Sequence, residues 1–361
     1  MTSSTVERCA EDGDDIVHIR SYRALRQTAR DWSNFSNDVL GRIQIPAQDK
    51  TRTFRQYPIE SDPPRHTAYR AVVQEMFNKP LDAAYIAAIE AEVDRLVVAA
   101  LVLEELDIVQ DFALPLQSRG LTYLLGMPIA EADLWVGWGM NVLGSEREFD
   151  LDQAAKLVDY LAQRLAEAPD RWSGSLFAYL RAVEFEGHPL PHDVQMGFAH
   201  LVFAGGRDTV IHLISGSIAY LAQNPAAFAR LKTDPDLSVR MTEELVRFMS
   251  PLPYLGRICR DGATLDGVTV APGQRVALCF AEANRDSAVF ADADQVLIDR
   301  SPNPHVGFGS GAHNCPGSAH ARLLSRTVMK VLAGRVQSIS IAAGGVVPDD
   351  LSFDSLRVRL T

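Results

Sequence analysis

The sequence contains little cysteine, with four residues in a chain of 361. Cys9, Cys259, Cys279 and Cys315 have no C-x-x-C spacing, which argues against a structural zinc site or a redox dithiol. We expect a reducing compartment, in which a disulfide framework does not form. If one of these cysteines has a function, the spacing therefore indicates that it acts alone.

Long hydrophobic runs and an excess of basic residues are also lacking. The longest apolar stretches, such as LVVAALVL, are too short to cross a bilayer. The N-terminal stretch is acidic and polar, where a signal peptide would be basic and then apolar. The formal net charge of -11 argues against a nucleic-acid-binding protein, which needs a basic face. We expect a cytoplasmic protein that binds neither nucleic acid nor a membrane.

Domain linkers, internal repeats and low-complexity tracts are lacking too, which predicts one domain over residues 1–361 with no fused reductase or ferredoxin domain. From about Thr67 to Asn224, apolar residues recur at spacings of three and four, which is typical of helices. After this region, turn signals such as Asp266-Gly267 and Pro272-Gly273 bound short strand-like segments. The sequence therefore predicts a mainly α fold with small, segregated β-sheets.

One predicted helix carries residues that weaken helices. The stretch PHDVQMGFAHLVFAGGRDTVIHLISGSIAYLAQNP has the pattern of a single helix of roughly 30 residues, on the order of 45–50 Å long. Its centre contains Gly205 and Gly206, each about 1 kcal/mol less favourable than alanine, followed by Asp208 and Thr209. Glycine pairs and inserted polar groups are recognised causes of kinks. Two interpretations remain open at this point: close packing against another helix, or a turn opened over a ligand.

Cys315 lies in the glycine-rich stretch HVGFGSGAHNCPGSAHARL. The pattern F-G-x-G-x-H-x-C-x-G is formed by Phe308, Gly309, Gly311, His313, Cys315 and Gly317. Glycine allows positive φ and close backbone approach. The start of the helix predicted to follow favours an anion, so the pattern suits a metal thiolate. The alternative is an inert buried thiol.

The Cys315 stretch resembles the haem-ligand loop of the cytochrome P450 family, and four further motifs occur in that family's order. These are D-P-P-x-x-x-x-x-R at Asp62–Arg70, A/G-G-x-D/E-T at Gly205–Thr209, E-x-x-R at Glu244–Arg247 and ANRD at Ala283–Asp286. The resemblance extends from about residue 30 to the C-terminus. It implies the cytochrome P450 fold, with an abbreviated N-terminal region because the segment before SNFSND is short.

The resemblance implies haem b, iron protoporphyrin IX, as the cofactor. Cys315 would be the iron ligand, and a thiolate ligand favours cleavage of the O–O bond. The other residues implied in cofactor binding are His66, Arg70, Arg257 and His313 at the propionates, with Gly205, Phe308, Gly309 and Gly317 around the haem. Glu244 and Arg247 would form a buried ion pair. Gln295 stands where many relatives have a second arginine, so we expect this network to lack that charge.

The implied activity is a monooxygenase that inserts one oxygen atom of O2 into an organic substrate, by hydroxylation or oxidative demethylation. Asp208 and Thr209 would be the catalytic acid–alcohol pair that relays protons to dioxygen. One alternative is atypical chemistry in the same fold, such as peroxide-driven oxidation, aryl coupling or nitration. Another is a non-catalytic domain that binds haem or recruits a partner.

The predicted substrate pocket is mostly apolar, which indicates a small or medium apolar organic substrate. Its residues would be Phe198, Leu201, Val202, Leu252 and Leu255, with segments 39–59, 135–143 and 346–351. The stretch MNVLGSEREFD could add polar contacts or form a solvated loop.

The chain lacks flavin, nicotinamide and iron–sulfur motifs, so a separate ferredoxin of the 2Fe-2S type, with its reductase, is expected to supply electrons. Arg322, Arg326 and Lys330 form a basic stripe at spacings of four, which is either a docking face or an ordinary solvated helix face. Pro316 removes a backbone donor next to Cys315, which predicts a lower iron potential.

Overall fold

The structure, a computed structural model, describes residues 6–11, 14–48, 52–139, 151–167 and 173–361. The α-helices are α1 Tyr22–Arg30, α2 Arg65–Asn78, α3 Ala83–Ala100, α4 Leu114–Leu125, α5 Glu131–Gly137, α6 Leu151–Ala166, α7 Leu176–Ala182, α8 His192–Gly205, α9 Asp208–Gln223, α10 Pro225–Thr233, α11 Leu237–Met249, α12 Phe280–Ala283 and α13 Ser318–Arg335. The β-strands are β1 Val6–Glu11, β2 Asp14–Ile19, β3 Phe35–Ser36, β4 Leu106–Asp107, β5 Glu184–Phe185, β6 His188–Pro189, β7 Tyr254–Cys259, β8 Ala263–Leu265, β9 Val268–Val270, β10 Arg275–Cys279, β11 Ile339–Ile341 and β12 Arg357–Leu360. Short 3₁₀ turns at Lys79–Leu81 and Gly311–His313 and a π-helical turn at Ile108–Ala113 also occur.

The strands form small sheets apart from the helices. The largest has the order β1-β2-β10-β7-β3, and β2 pairs with β10 in parallel while the other pairs are antiparallel. A second sheet has the order β11-β12-β4, and β5-β6 and β8-β9 are two-stranded hairpins. The glycine-marked turns predicted after the helical region do separate β7, β8, β9 and β10.

The expected abbreviation of the N-terminal region does not extend to its strands. β1 and β2 pair over six residues each, from Val6 opposite Ile19 to Glu11 opposite Asp14. Their inward-facing side chains, such as Val17, are buried beneath α1. The abbreviated N-terminal region therefore still supplies two paired strands, and β2 joins the largest sheet through β10.

The long central helix predicted from the sequence is interrupted at its glycine pair, as the interpretation of an opened turn expects. α8 ends at Gly205 and α9 begins at Asp208, and Gly206 and Arg207 lie between them. The φ and ψ of Arg207 are -93° and -76°, outside regular helical values. Two consecutive glycines lower the cost of leaving the helix, since neither has a side chain that packs the turn.

The core around the cavity is built by α4, α9 and α13. Leu121 of α4, Ile214 of α9 and Leu324 and Val328 of α13 are fully buried in one apolar cluster. Burying each such side chain stabilises the fold by about 1.5–3 kcal/mol. The cluster therefore holds the helix that follows Cys315 at a set distance from the helix that follows the Gly205-Gly206 interruption.

The architecture confirms the predicted class, mainly α with small segregated sheets. None of the helices among the described residues is long and apolar enough to span a membrane.

Candidate active site

The loop before α13 places Cys315 by backbone interactions. The Cys315 amide donates to the carbonyl of Phe308 at 2.7 Å, which closes the loop. Gly311 has a φ of 78°, and a Cβ there would lie 2.6 Å from the Ala29 carbonyl of α1. A larger residue would push the loop away from α1, so Gly311 allows the close contact that fixes it.

The surroundings of the Cys315 thiol both oppose and favour its ionisation. Loss of solvent raises its pKa. The amides of Gly317 and Ser318, at the start of α13, together with the positive charges of Arg70 and Arg322, act in the opposite direction. A thiolate at this position is therefore supported by a helix start and two cations, and a bound metal cation would complete its compensation.

A single cavity joins Cys315 to most of the residues predicted around the haem and substrate. These are His66, Arg70, Leu201, Val202, Gly205, Thr209, Leu252, Leu255, Arg257, Phe308, Gly309, His313 and Gly317, all of which line it. The carbon-rich side chains dominate the lining, and Leu121, Val210 and Leu213 add to them. The cavity thus combines one thiol, a small cationic group and an apolar interior.

Two arginines and two histidines of the cavity lining lie where α2, β7 and the Cys315 loop meet, namely Arg70, Arg257, His66 and His313. The rings of His66 and His313 are 4.1 Å apart between centroids, and Arg257 is only 3% exposed. Among the described residues, His66 Nδ1 and both ring nitrogens of His313 are buried without a hydrogen-bond partner. Burial and the neighbouring arginines lower the pKa of His66 to about 4 and that of His313 to about 2.

These features fit haem. Orphaned imidazole nitrogens next to Arg70 and Arg257 are suitable donors for two carboxylates, such as the haem propionates. Burial also lowers the pKa of Arg257 to about 10, and a facing carboxylate would offset this cost. Cys315 in the same cavity can supply a thiolate to iron. Bound there, haem would supply the iron at which dioxygen is activated.

Asp208 and Thr209, the predicted catalytic pair, both lie at the start of α9 but face different surroundings. Thr209 lines the cavity, and its hydroxyl donates to the Gly205 carbonyl at 3.2 Å. Asp208 is outside the cavity lining and forms an ion pair with Arg207 at 3.1 Å. Arg207 is 1% exposed and donates to the Trp135 carbonyl at the end of α5 at 2.9 Å. Arg207 thus holds the Asp208 carboxylate outside the cavity lining to which Thr209 belongs.

Arg207 was missed because it occupies the unspecified position of the motif. A charged residue inside an apolar helix was the available signal, since a buried arginine needs partners.

The buried ion pair of α11 contains the second arginine that we did not expect. Arg247 and Glu244 are fully buried and 2.8 Å apart. Arg300 Nε lies 3.0 Å from the same carboxylate, whereas Gln295 contributes a backbone carbonyl that accepts from Arg247. The expectation that the network lacks this charge was therefore wrong. A residue five positions later in the chain reaches Glu244, because the intervening turn brings it back.

Other pocket predictions were wrong because they chose the wrong face. Phe198 is fully buried against Tyr57 and Tyr69, away from the cavity. Trp135 packs against Tyr160 and Phe203, and residues 346–351 do not line the cavity. Of segment 39–59, Pro58 and Ile59 do line it. The stretch MNVLGSEREFD lies outside the described residues.

The basic stripe on α13 is largely compensated by acidic residues. Arg322 and Arg326 both bind Glu243 at 2.8 Å, and Lys330 lies 3.4 Å from Asp236. The Arg322 and Arg326 side chains are each 31% exposed. The stripe is therefore an ion-pair network with partial access to solvent rather than a row of free cations.

The orphaned donors and the nearby thiol indicate a haem-thiolate protein, and comparison with known proteins shows which family. The sequence model described as "Cytochrome P450" matches residues 176–332. Linalool 8-monooxygenase of Pseudomonas putida is 31% identical over 79% of this chain and 72% of that protein. Steroid C26-monooxygenase of Mycolicibacterium smegmatis is 30% identical over 93% of this chain and 84% of that protein.

A solved structure titled "The structure of a carbohydrate active P450" is similar over 99% of this chain and 95% of its own, with a TM-score of 0.94 and 35% identity. The chain belongs to the cytochrome P450 family. It is an oxidoreductase of the monooxygenase type, and its cofactor is haem b.

Proposed function

We propose that the protein inserts one oxygen atom of O2 into a small or medium apolar organic substrate, by hydroxylation or oxidative demethylation. The observation that carries this proposal is the apolar lining shared with Cys315, in which Leu201, Val202, Leu252 and Leu255 face one cavity. Such a lining excludes water and holds a substrate by contact rather than by charge.

Thr209 and Asp208 divide the handling of protons in this proposal. The Thr209 hydroxyl donates to Gly205 and can accept from a water in the cavity. Asp208, held by Arg207, can exchange protons with the region behind α9, where its side chain is 18% exposed. The opened turn between α8 and α9 gives both residues a path that an unbroken helix would close.

Electrons come from a separate ferredoxin of the 2Fe-2S type in this proposal. Arg322, Arg326 and Lys330 exceed their partners Glu243 and Asp236 by one positive charge, which supports docking of an acidic protein near α13. Arg326→Glu should slow reduction several-fold at low salt and little at high salt, because salt screens the electrostatic attraction between the two proteins. The control is Arg359→Glu on β12, and equal rates for the two variants would contradict docking here.

A carbohydrate with an apolar substituent is a second candidate substrate. The supporting observation is the TM-score of 0.94 to the structure titled as a carbohydrate-active P450. An apolar cavity over the reactive centre would suit a methyl ether on such a sugar, and oxidation of that methyl group would release it.

Substrate binding can test both candidates in the holoenzyme. A panel of terpenoids, small aromatics and O-methylated monosaccharides is screened by the shift of the haem Soret band. Binders are then incubated with NADH, a surrogate ferredoxin pair and 18O-labelled O2. A hydroxylated product should contain one labelled oxygen atom, whereas demethylation should give an unlabelled alcohol together with formaldehyde, whose yield is measured. Product only with added peroxide would indicate the atypical chemistry, and binding without turnover would support the non-catalytic alternative.

A further inference from the structure

A chain of buried polar groups connects the helix after Cys315 with the interruption between α8 and α9. The Tyr85 hydroxyl of α3 lies 2.8 Å from His320 Nδ1 of α13, and His320 Nε2 lies 3.1 Å from Gln117 Oε1 of α4. Gln117 Nε2 then donates to the Gly206 carbonyl at 2.5 Å. These three side chains belong to residues that are 8%, 2% and 0% exposed, so the chain is shielded from water.

The partners determine the direction of every hydrogen bond in this chain. Because the Gly206 carbonyl can only accept, the nitrogen of the Gln117 amide faces it and Oε1 faces His320. Since Gln117 Oε1 can only accept, His320 must carry its proton on Nε2. His320 Nδ1 is then an acceptor, and the Tyr85 hydroxyl donates to it. One tautomer and one amide orientation satisfy these three contacts, and the Tyr85 hydroxyl also lies 3.3 Å from the Gly120 carbonyl.

The surroundings are adapted to a neutral imidazole at this position. A Cβ on Gly120 would lie 3.1 Å from His320 Cε1, so the glycine leaves room for the ring. Burial lowers the pKa of His320 to about 4, which keeps the ring neutral in the required tautomer near neutral pH.

The Gly206 carbonyl, which is the last acceptor in this series of hydrogen bonds, lies in the interruption between α8 and α9. Gly206 belongs to neither α8 nor α9, and Arg207, Asp208 and Thr209 follow it in the sequence. His320 lies on the first turns of the helix that begins just after Cys315. The chain therefore joins the two sides of the cavity through α4.

We propose that His320 is a positioning residue: through Gln117 it holds the Gly206 carbonyl, and with it the opened turn, at a set distance from the helix that follows Cys315. The effect of this positioning on turnover rests on the proposed function, whereas the hydrogen-bonded connection from His320 to Gly206 does not.

Three variants of the holoenzyme separate positioning from the satisfaction of buried polar groups. His320→Leu leaves Gln117 without its donor, whereas His320→Gln keeps an N–H that can reach Gln117. In His320→Leu/Gln117→Met the side chains of both sites are apolar, so no side-chain donor or acceptor of the pair remains buried and unsatisfied. This double variant should regain much of the thermal stability lost by His320→Leu.

The readouts are amide hydrogen exchange over residues 205–212 and the infrared C–O stretch of the carbon monoxide complex, both without substrate or turnover. In His320→Leu and in the double variant, exchange of these amides should rise about fivefold, the effect of one lost hydrogen bond, and the C–O stretch should shift. His320→Gln should resemble the wild type. Ser325→Ala is the control, since it removes the buried contact of α13 with Thr242, at 3.2 Å, without touching the chain.

Wild-type exchange and a wild-type C–O stretch in the folded double variant would overturn the proposal. The hydrogen bonds of Tyr85, His320 and Gln117 would then only satisfy buried polar groups and would not position the opened turn. The same changes in Ser325→Ala would also overturn it, because any loosening of α13 would then suffice. Neither readout requires turnover, so a failure of the proposed monooxygenase activity would leave these results interpretable.

Discussion

The two sides of the cavity are held in place by different means. On the thiolate side the backbone fixes the loop, with the Cys315 amide bonded to the Phe308 carbonyl. On the opened-helix side, long side chains fix the backbone: Arg207 donates a hydrogen bond to the Trp135 carbonyl, and Gln117 donates one to the Gly206 carbonyl. Backbone-determined geometry leaves glycine signatures in a sequence, and the Gly205-Gly206 pair is one of them. The partners of Arg207 and Gln117 leave no local pattern, because they come from other helices. Motifs therefore locate both sides of the cavity, but the contacts that hold the opened-helix side cannot be read from them.

The largest expected effect is on the thiolate side. Cys315→Ala removes the sulfur that the loop presents to the cavity, so the red-shifted carbon monoxide band typical of thiolate-ligated haem should disappear together with product formation. Carbon monoxide difference spectra of the purified variant measure this. Cys259→Ala is the matched control, since Cys259 is fully buried in β7, and its band should persist. An intact band in Cys315→Ala would disprove the ligand assignment.

The next effect is on the opened-helix side. Thr209→Ala should keep haem but lower the yield of product per NADH, by up to about 10²-fold if the hydroxyl takes part in proton transfer. Peroxide and NADH are measured alongside product. Thr209→Ser retains the hydroxyl that donates to Gly205 and should retain most of the yield. Full coupling in Thr209→Ala would contradict the relay.

The ion-pair network beneath the thiolate loop gives a smaller effect and tests where the second arginine lies. Arg300→Gln removes a hydrogen-bonded charge from the buried Glu244 carboxylate and should lower the free energy of unfolding by about 1.5–3 kcal/mol. Gln295→Ala should change it little, because Gln295 contributes its backbone carbonyl. Urea unfolding of both variants measures the difference, and a larger loss in Gln295→Ala would reverse the assignment.

These contrasts indicate how far the sequence alone could lead. The class of fold and a loop suited to a thiolate could be predicted because they depend on local spacing and on glycine conformation, whereas the burial of the Glu244–Arg247 pair was expected only from the family resemblance. Arg300 and His320 could not be assigned roles, since their partners lie 56 and 203 positions away in the chain. Phe198 was misplaced because neighbouring apolar residues of α8 are alike, and packing alone decides which of them face the cavity.

The smallest effect should come from Pro316, which lines the cavity next to Cys315, the proposed iron ligand. The Gly317 and Ser318 amides already favour the Cys315 thiolate, whereas a proline at 316 cannot add a third donor. Pro316→Leu would restore that N–H, withdraw charge from the sulfur and raise the iron potential. One hydrogen bond of about 1 kcal/mol corresponds to at most about 40 mV for one electron, so a redox titration can resolve the shift.

Pro316→Ala separates the restored donor from the larger side chain, because it also restores the N–H but adds no bulk. Equal positive shifts in Pro316→Leu and Pro316→Ala would assign the effect to the hydrogen bond. A shift in the leucine variant alone would assign it to packing in the cavity, and a lowered potential in both would contradict the argument. If the thiolate side is governed by its backbone, as the Cys315 loop indicates, the two variants should agree.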